Sequence, residues 1–226
     1  MFEMRKEIYL VQGEPQEYYS SFSERILSLA KELSESLSVD KLKVTYTKEA
    51  APKLSIIPFK KKKIAAISVF KKDADPVKSI LEGPGFVGGY VVEEAIPVGY
   101  SKSWQDASVT PGICLLTLFK QKKGLSHKDF IDRWHNGHTP LSLEIHPLWN
   151  YNRNVVKDIL GNESPRWDGI VEEQFREKSE LLNPVKFFGN PLIMPYRMWQ
   201  VYADTKSFLD YKSIEPYFAH EYWVKS

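Results

Sequence analysis

Cysteine is almost missing from this chain. A single thiol, Cys114, excludes an internal disulfide framework and any Cys-rich zinc or iron–sulfur site. No segment approaches the roughly 20 consecutive apolar residues of a membrane span, so no membrane partner is expected. The opening residues MFEMRKEIYLVQGE hold no apolar run of signal-peptide length, which makes a cytoplasmic location the expectation. An excess of one charge sign is also absent. A net charge of +2 is too small to imply a polyanionic partner. The one basic run, residues 60–63, has no aromatic or basic repeat beside it and reads as a solvated hairpin end, so no nucleic-acid partner is expected. Residues 83–89 are glycine-rich but lack the Lys-Ser/Thr of a phosphate loop and the spacing of a dinucleotide fingerprint. No Ser or Cys nucleophile motif occurs, and Cys114 falls within an apolar strand pattern, where a thiol is usually inert.

What is present describes a soluble globular protein. An apolar fraction of 42% with 27% charged residues is enough for a real core, and the length suits one large or two small domains. Histidine is distributed unevenly. None of the five precedes His127, and four of them fall within residues 124–147, GLSHKDFIDRWHNGHTPLSLEIHP. Read as a helix, Phe130, Trp134, His138, Leu141 and Ile145 share one face. Ser126 with Asp129 resembles a capping box at its start. Pro140, with no N–H and a ring that clashes with the preceding turn, predicts a kink or break. Thr139-Pro140 then reads as an N-cap and first helical residue that restart the helix. His138 is placed at that break, facing the core.

The remaining periodicities give an element order. Residues 6–13 read as a strand, 15–37 as an amphipathic helix, 41–46 and 64–70 as strands, and 73–82 as a short helix with Pro76 in its first turn. Residues 83–89 read as a turn or loop, and 89–100 as a strand in which Pro97 argues for an edge or bulge. Residues 101–111 are polar and aperiodic. Beyond them, 113–119 read as a buried strand, followed by the histidine-bearing helix. Strands are predicted at 149–159 and 167–175, a helical or irregular stretch with Pro184, Gly189, Pro191 and Pro195 over 179–211, and a closing strand at 214–224. Strand-helix-strand-strand-helix-strand thus occurs twice. The fold class expected is α+β, with two ferredoxin-like modules in one chain, residues 1–100 without histidine and 112–226 with it, joined by a linker at 101–111. A four-stranded sheet with helices on one side leaves its other face bare. Two such sheets cover each other as a closed barrel-like core.

Residues 124–141 (GLSHKDFIDRWHNGHTPL), 151–156 (YNRNVV), 167–175 (WDGIVEEQF) and 203–210 (ADTKSFLD) together resemble the EthD family of dimeric α+β barrel proteins. The family shows the same order of a Phe, an Arg/Tyr-Trp pair, filled here by Arg133-Trp134, and a His-x-Pro. The resemblance implies a barrel of two ferredoxin-like sheets with pockets between sheet and helices. The family normally reaches that barrel by pairing two chains, so this chain is expected to be a fused pseudo-dimer. A homodimer through other faces is possible. The proline-rich 179–202 segment departs from the family's compact second helix. The family is loosely classed with oxidoreductases, and relatives of the barrel include isomerases, polyketide-processing enzymes and cofactor-free monooxygenases.

The candidate residues follow from chemistry and from that resemblance. His138 reads as a general acid or base at a pocket mouth, or as a neutral ring capping the broken helix. His135, three residues earlier, is a second catalytic candidate. A His-x-x-His metal pair is disfavoured, because Glu144 and His146 lie beyond the proline and no third ligand is evident. Asp168, within the WDG segment that matches the family, is the expected orienter of His138, against a reading as a turn cap. Glu172 shares its strand face and is assigned to substrate binding, with Asp168 kept as a catalytic candidate. His220 alternates with Phe218 and Tyr222 as a pocket wall or a satisfied interface histidine. Trp134 and Tyr151 offer flat walls for an aromatic ligand, though core packing is the plainer reading of each. Neither metal nor cofactor is expected. The function expected is proton-transfer chemistry, of isomerase or lyase type, on an apolar carbonyl-bearing or aromatic small molecule. A cofactor-free monooxygenase or accessory protein of an oxidative pathway is the second reading, and a non-catalytic ligand- or protein-binding module the third.

Overall fold

The structure, a computed structural model, describes residues 4–73, 75–161 and 163–226. Its first half runs β1 (Arg5–Gln12), α1 (Tyr19–Ser36), β2 (Lys41–Tyr46), β3 (Ile64–Lys71), α2 (Lys78–Leu81) and β4 (Phe86–Val98). The second half opens with the two-residue β5 (Ser108–Val109) and β6 (Ile113–Phe119). It continues through α3 (His127–Asp132), α4 (Thr139–Ile145), β7 (Asn150–Leu160) and β8 (Gly169–Phe175). Helices α5 (Lys178–Leu182), α6 (Pro184–Phe188) and α7 (Met194–Phe208) precede the last strand, β9 (Glu215–Lys225).

Hydrogen bonding orders the strands β2-β3-β1-β4-β7-β8-β6-β9, and β9 pairs back onto β2. Eight strands therefore close into a barrel, which leaves no long unpaired edge. Every pairing within it is antiparallel. Within each half the order is the same, with the first strand between the third and the fourth. The halves join twice, through β4–β7 and β2–β9. The 101–111 segment contributes β5, which lies on β9 beside Trp223 and Tyr222.

Strand alternation divides the side chains between two environments. Ile8, Leu10, Tyr90, Leu116 and Ile170 point into the barrel. Tyr9, Val44 and Ile67 point outward and are covered by α1, whose buried stripe is Phe22, Ile26, Ala30 and Leu33. On the second half, outward residues such as Leu115, Phe175 and Phe218 are covered by α4 to α7, and Phe119, Tyr151 and Val171 by the α3–α4 region.

Two local expectations are corrected. The glycine-rich turn at 83–89 is shorter than its composition suggests: Gly85 takes φ +79°, and β4 starts at the next residue. The helix carrying the histidines does not break at Pro140. Residues Arg133–His138 form a π-helical turn, so α3 and α4 run on as one continuous rod. Thr139 is not an N-cap, because its backbone and that of His138 are both helical. The Thr139 N–H instead reaches five residues back to the Trp134 carbonyl, and its hydroxyl donates to the same oxygen at 2.9 Å. The wider turn gives the proline ring space that an α-helical turn would fill with the preceding carbonyl. At Pro97 the expectation of a bulge agrees with the structure, since the β4–β7 register shifts between Ala95 and Val98.

Candidate active site

A cavity of about 210 Å³ lies between the second sheet and its helices. Its floor is made by outward residues of β6, β7 and β8: Leu115, Thr117, Tyr151, Val171 and Glu173. The α3–α4 rod supplies Trp134, His138, Ser142 and His146, which recur at the helical period. The α7 side supplies Val201, Thr205 and Phe208. Most of this surface is apolar, so the few polar groups that reach it stand out.

His138 is one of them, 14% exposed through its side chain. Its Nδ1 lies 2.7 Å from Oδ2 of Asp204 on α7, and its Nε2 lies 3.0 Å from the Ser142 hydroxyl one turn along. A carboxylate can only accept, so Nδ1 carries a proton. In the neutral ring Nε2 then accepts from Ser142. Both nitrogens are thus occupied, and the π-helical turn fixes the ring between two helices. The orienter is Asp204, from a segment read only as a later family motif. Asp168 does not take that role. Its carboxylate accepts from the backbone N–H of Gln121, just past the end of β6, at 2.8 Å and faces Arg166 at 3.5 Å.

The acid that does enter the cavity is Glu173. Among the described residues its carboxyl has no ionic or hydrogen-bonding partner, and burial among apolar walls pushes its pKa up to about 7. Glu172, expected at the site, is one residue away and therefore on the opposite face. It is buried in the barrel, where Lys43 approaches at 3.0 Å and the Thr45 hydroxyl donates to it. Burial opposes its charge, yet Lys43, Lys6 and Thr45 outweigh that cost and hold the carboxyl at about 2.

Three further groups line the cavity with His138 and Glu173. Tyr151 accepts from the Trp134 indole at 3.3 Å, and burial raises its phenol pKa, so the hydroxyl stays protonated. Both residues were expected at the site and are there. His146, which the sequence reading left without a role, pairs Nδ1 with the Phe187 carbonyl at 3.0 Å. A carbonyl accepts only, so Nε2 is the unprotonated nitrogen, and burial lowers the pKa to about 4.

His135 and His220 are not brought to the cavity. His135 points away from it on the rod, with Nε2 buried and unpaired, and burial lowers its pKa. His220 lies on β9 with Nε2 3.1 Å from Glu49, which also pairs with Lys178. Among the described residues, no three His, Cys, Asp or Glu side chains converge as a metal site would require.

The chain is thus a single-chain eight-stranded barrel with a cavity between its second sheet and the helices that cover it. Residues 122–210 match the EthD domain family, a span that contains the rod, β7, β8 and α5 to α7. The barrel resembles two solved structures over nearly its whole length. One is an anthrone oxidase-like protein (TM-score 0.60, 8% identity, covering 99% of this chain and 94% of that one). The other is a candidate monooxygenase of Fusobacterium nucleatum subsp. nucleatum (TM-score 0.53, 10% identity, covering 98% and 93%). No curated protein matches the sequence. No helix of the described residues is long and apolar enough to cross a membrane.

Proposed function

We propose that this protein is an enzyme that removes a proton from an apolar, carbonyl-bearing or hydroxyaromatic small molecule, with Glu173 as the base. The observation that carries this reading is an unpartnered carboxyl in an apolar cavity, poised to hold or release a proton near neutral pH. Removing a proton from carbon beside a carbonyl leaves an enolate, and Tyr151 is the hydroxyl available to donate to its oxygen. His138, clamped by Asp204 and Ser142, acts as a positioning group that holds the rod against α7. We read the two halves as ferredoxin-like modules that stand where two chains stand in the wider family. Their shared strand order supports this.

The same deprotonation would begin a cofactor-free oxygenation, in which the carbanion itself supplies the electrons to dioxygen. The two fold neighbours favour keeping this second reading, since both bear oxidative descriptions.

One assay addresses both readings. A panel of apolar ketones and hydroxyaromatic carbon acids is incubated in D2O under nitrogen, and then in H2O in an oxygen electrode. Deuterium uptake at the acidic carbon is expected with wild type, and it should fall about 100-fold or more in Glu173→Gln. Oxygen uptake with the same compound would select the second reading. Exchange that survives unchanged in Glu173→Gln would remove Glu173 as the base.

A further inference from the structure

One end of the barrel holds a cavity of its own, separate from the proposed active site between sheet and helices. The barrel interior is apolar toward the starts of β3, β4 and β8, where Ile8, Leu10, Tyr90 and Ile170 meet. Toward the starts of β1, β2 and β7 it becomes a buried ionic cluster. Lys6 donates to Glu94 at 2.7 Å, and Lys43 lies 3.0 Å from Glu172 and 3.2 Å from Glu221. Three carboxylates face two ammonium groups, so the cluster has one negative charge in excess. Above it is a cavity of about 200 Å³ whose outer rim includes the exposed Lys41.

We propose that this barrel mouth binds a small organic ammonium ion. Asn152, only 3% exposed, is one of the residues lining the cavity; its Oδ1 is buried with no partner, and its Nδ2 donates to Glu94 Oε1 at 2.6 Å. That donation fixes which way the amide points, because the reversed amide would set oxygen against carboxylate. Lys6 uses the same Glu94 oxygen, which leaves Oε2 free among the described residues. An orphaned carbonyl, a free carboxylate oxygen and the excess negative charge all call for a cationic donor. Asn150, 7% exposed, presents a further amide to the cavity. Phe70, Tyr100 and Trp223 supply aromatic walls of the kind that favour an organic cation.

Benzylamine, protonated at neutral pH, and its neutral counterpart benzyl alcohol test this by calorimetric titration of the full chain. Saturable binding of benzylamine is expected, at least about tenfold tighter than that of the alcohol. Glu94→Gln and Asn152→Leu should each weaken it about tenfold, while Glu173→Gln, in the other cavity, leaves it unchanged. Glu94 is partly exposed, so its variant carries the test even if Asn152→Leu does not fold. No saturable binding at millimolar amine, equal affinity for the alcohol, or a loss confined to Glu173→Gln would overturn the proposal. Because the assay measures binding and not turnover, it stands or falls apart from the proposed activity.

Discussion

Glu173 and Glu172 show how much one position decides. Adjacent residues on a strand face opposite ways, so one glutamate became an ionic partner inside the barrel and the other a lone acid in the cavity. The sequence VEEQF made both available, but choosing between them requires knowing which face the helices cover. Two groups of the cavity, the half-buried Glu173 and the buried His146, also carry opposite pH dependences. Glu173, with a pKa raised from 4.5 to about 7, keeps its proton in the folded state where the unfolded chain has lost it, so its contribution weakens the fold as pH rises through that window. His146, lowered from 6.5 to about 4, stays neutral where the unfolded chain is charged, so its contribution weakens the fold as pH falls through its window. The two slopes cancel over most of their overlap. Denaturant titrations of wild type and of each single variant at pH 5, 6, 7 and 8 therefore separate them. Glu173→Gln is expected to gain stability relative to wild type as pH rises, by roughly 3 kcal/mol or less above pH 7. His146→Gln should reveal the falling slope that His146 masks.

The histidine-bearing rod is the element in which sequence reading went furthest and then failed at one step. The face containing Trp134, His138 and Ile145 was legible from its period, and so was the cap at Ser126, whose hydroxyl accepts the Asp129 N–H at 3.1 Å. The break at Pro140 was not real, because a π-helical turn accommodates the proline without ending the helix. No propensity rule exposes such a turn; it is held by tertiary contacts, among them the Arg153 guanidinium donating to Thr139 Oγ1 at 2.6 Å. Asp204 escaped for a similar reason, since its approach to His138 depends on how α7 packs across a segment interrupted by prolines. Deleting Gly137 would remove the extra residue and bring Pro140 against an α-helical carbonyl. We expect a loss of about 3 kcal/mol or more in equilibrium unfolding, together with a displaced Trp134 whose emission shifts. A deletion variant as stable as wild type would mean the π-helical turn is not needed to carry the proline.

At the scale of the molecule, strand boundaries and barrel closure followed from alternation and element order. The expected strands at 41–46, 64–70 and 113–119 fall on β2, β3 and β6 to within a residue. The ionic cluster inside the barrel is not legible in the sequence, because alternation alone does not say which face of β1, β2 or β4 turns inward. Lys43 is 2% exposed through its side chain, and burial works against its charge, but Glu172 and Glu221 raise its pKa well above the ordinary lysine value. Lys43→Met should cost about 3–5 kcal/mol, measured by urea unfolding, because Glu221 loses its lysine and Glu172 the nearer of its two. Adding Glu172→Gln to that variant should recover part of the loss. A neutral Lys43→Met would mean that water already solvates the cluster.

The lone carboxyl of the cavity, Glu173, is the group on which the proposed chemistry depends. The direct measurement is a ¹³C NMR titration of the glutamate side chains, with the Glu173 resonance assigned by its disappearance in Glu173→Gln. A midpoint at about 7 is the expected result. A midpoint in the ordinary carboxylate range near 4.5 would contradict it, and with it the role of Glu173 as a base.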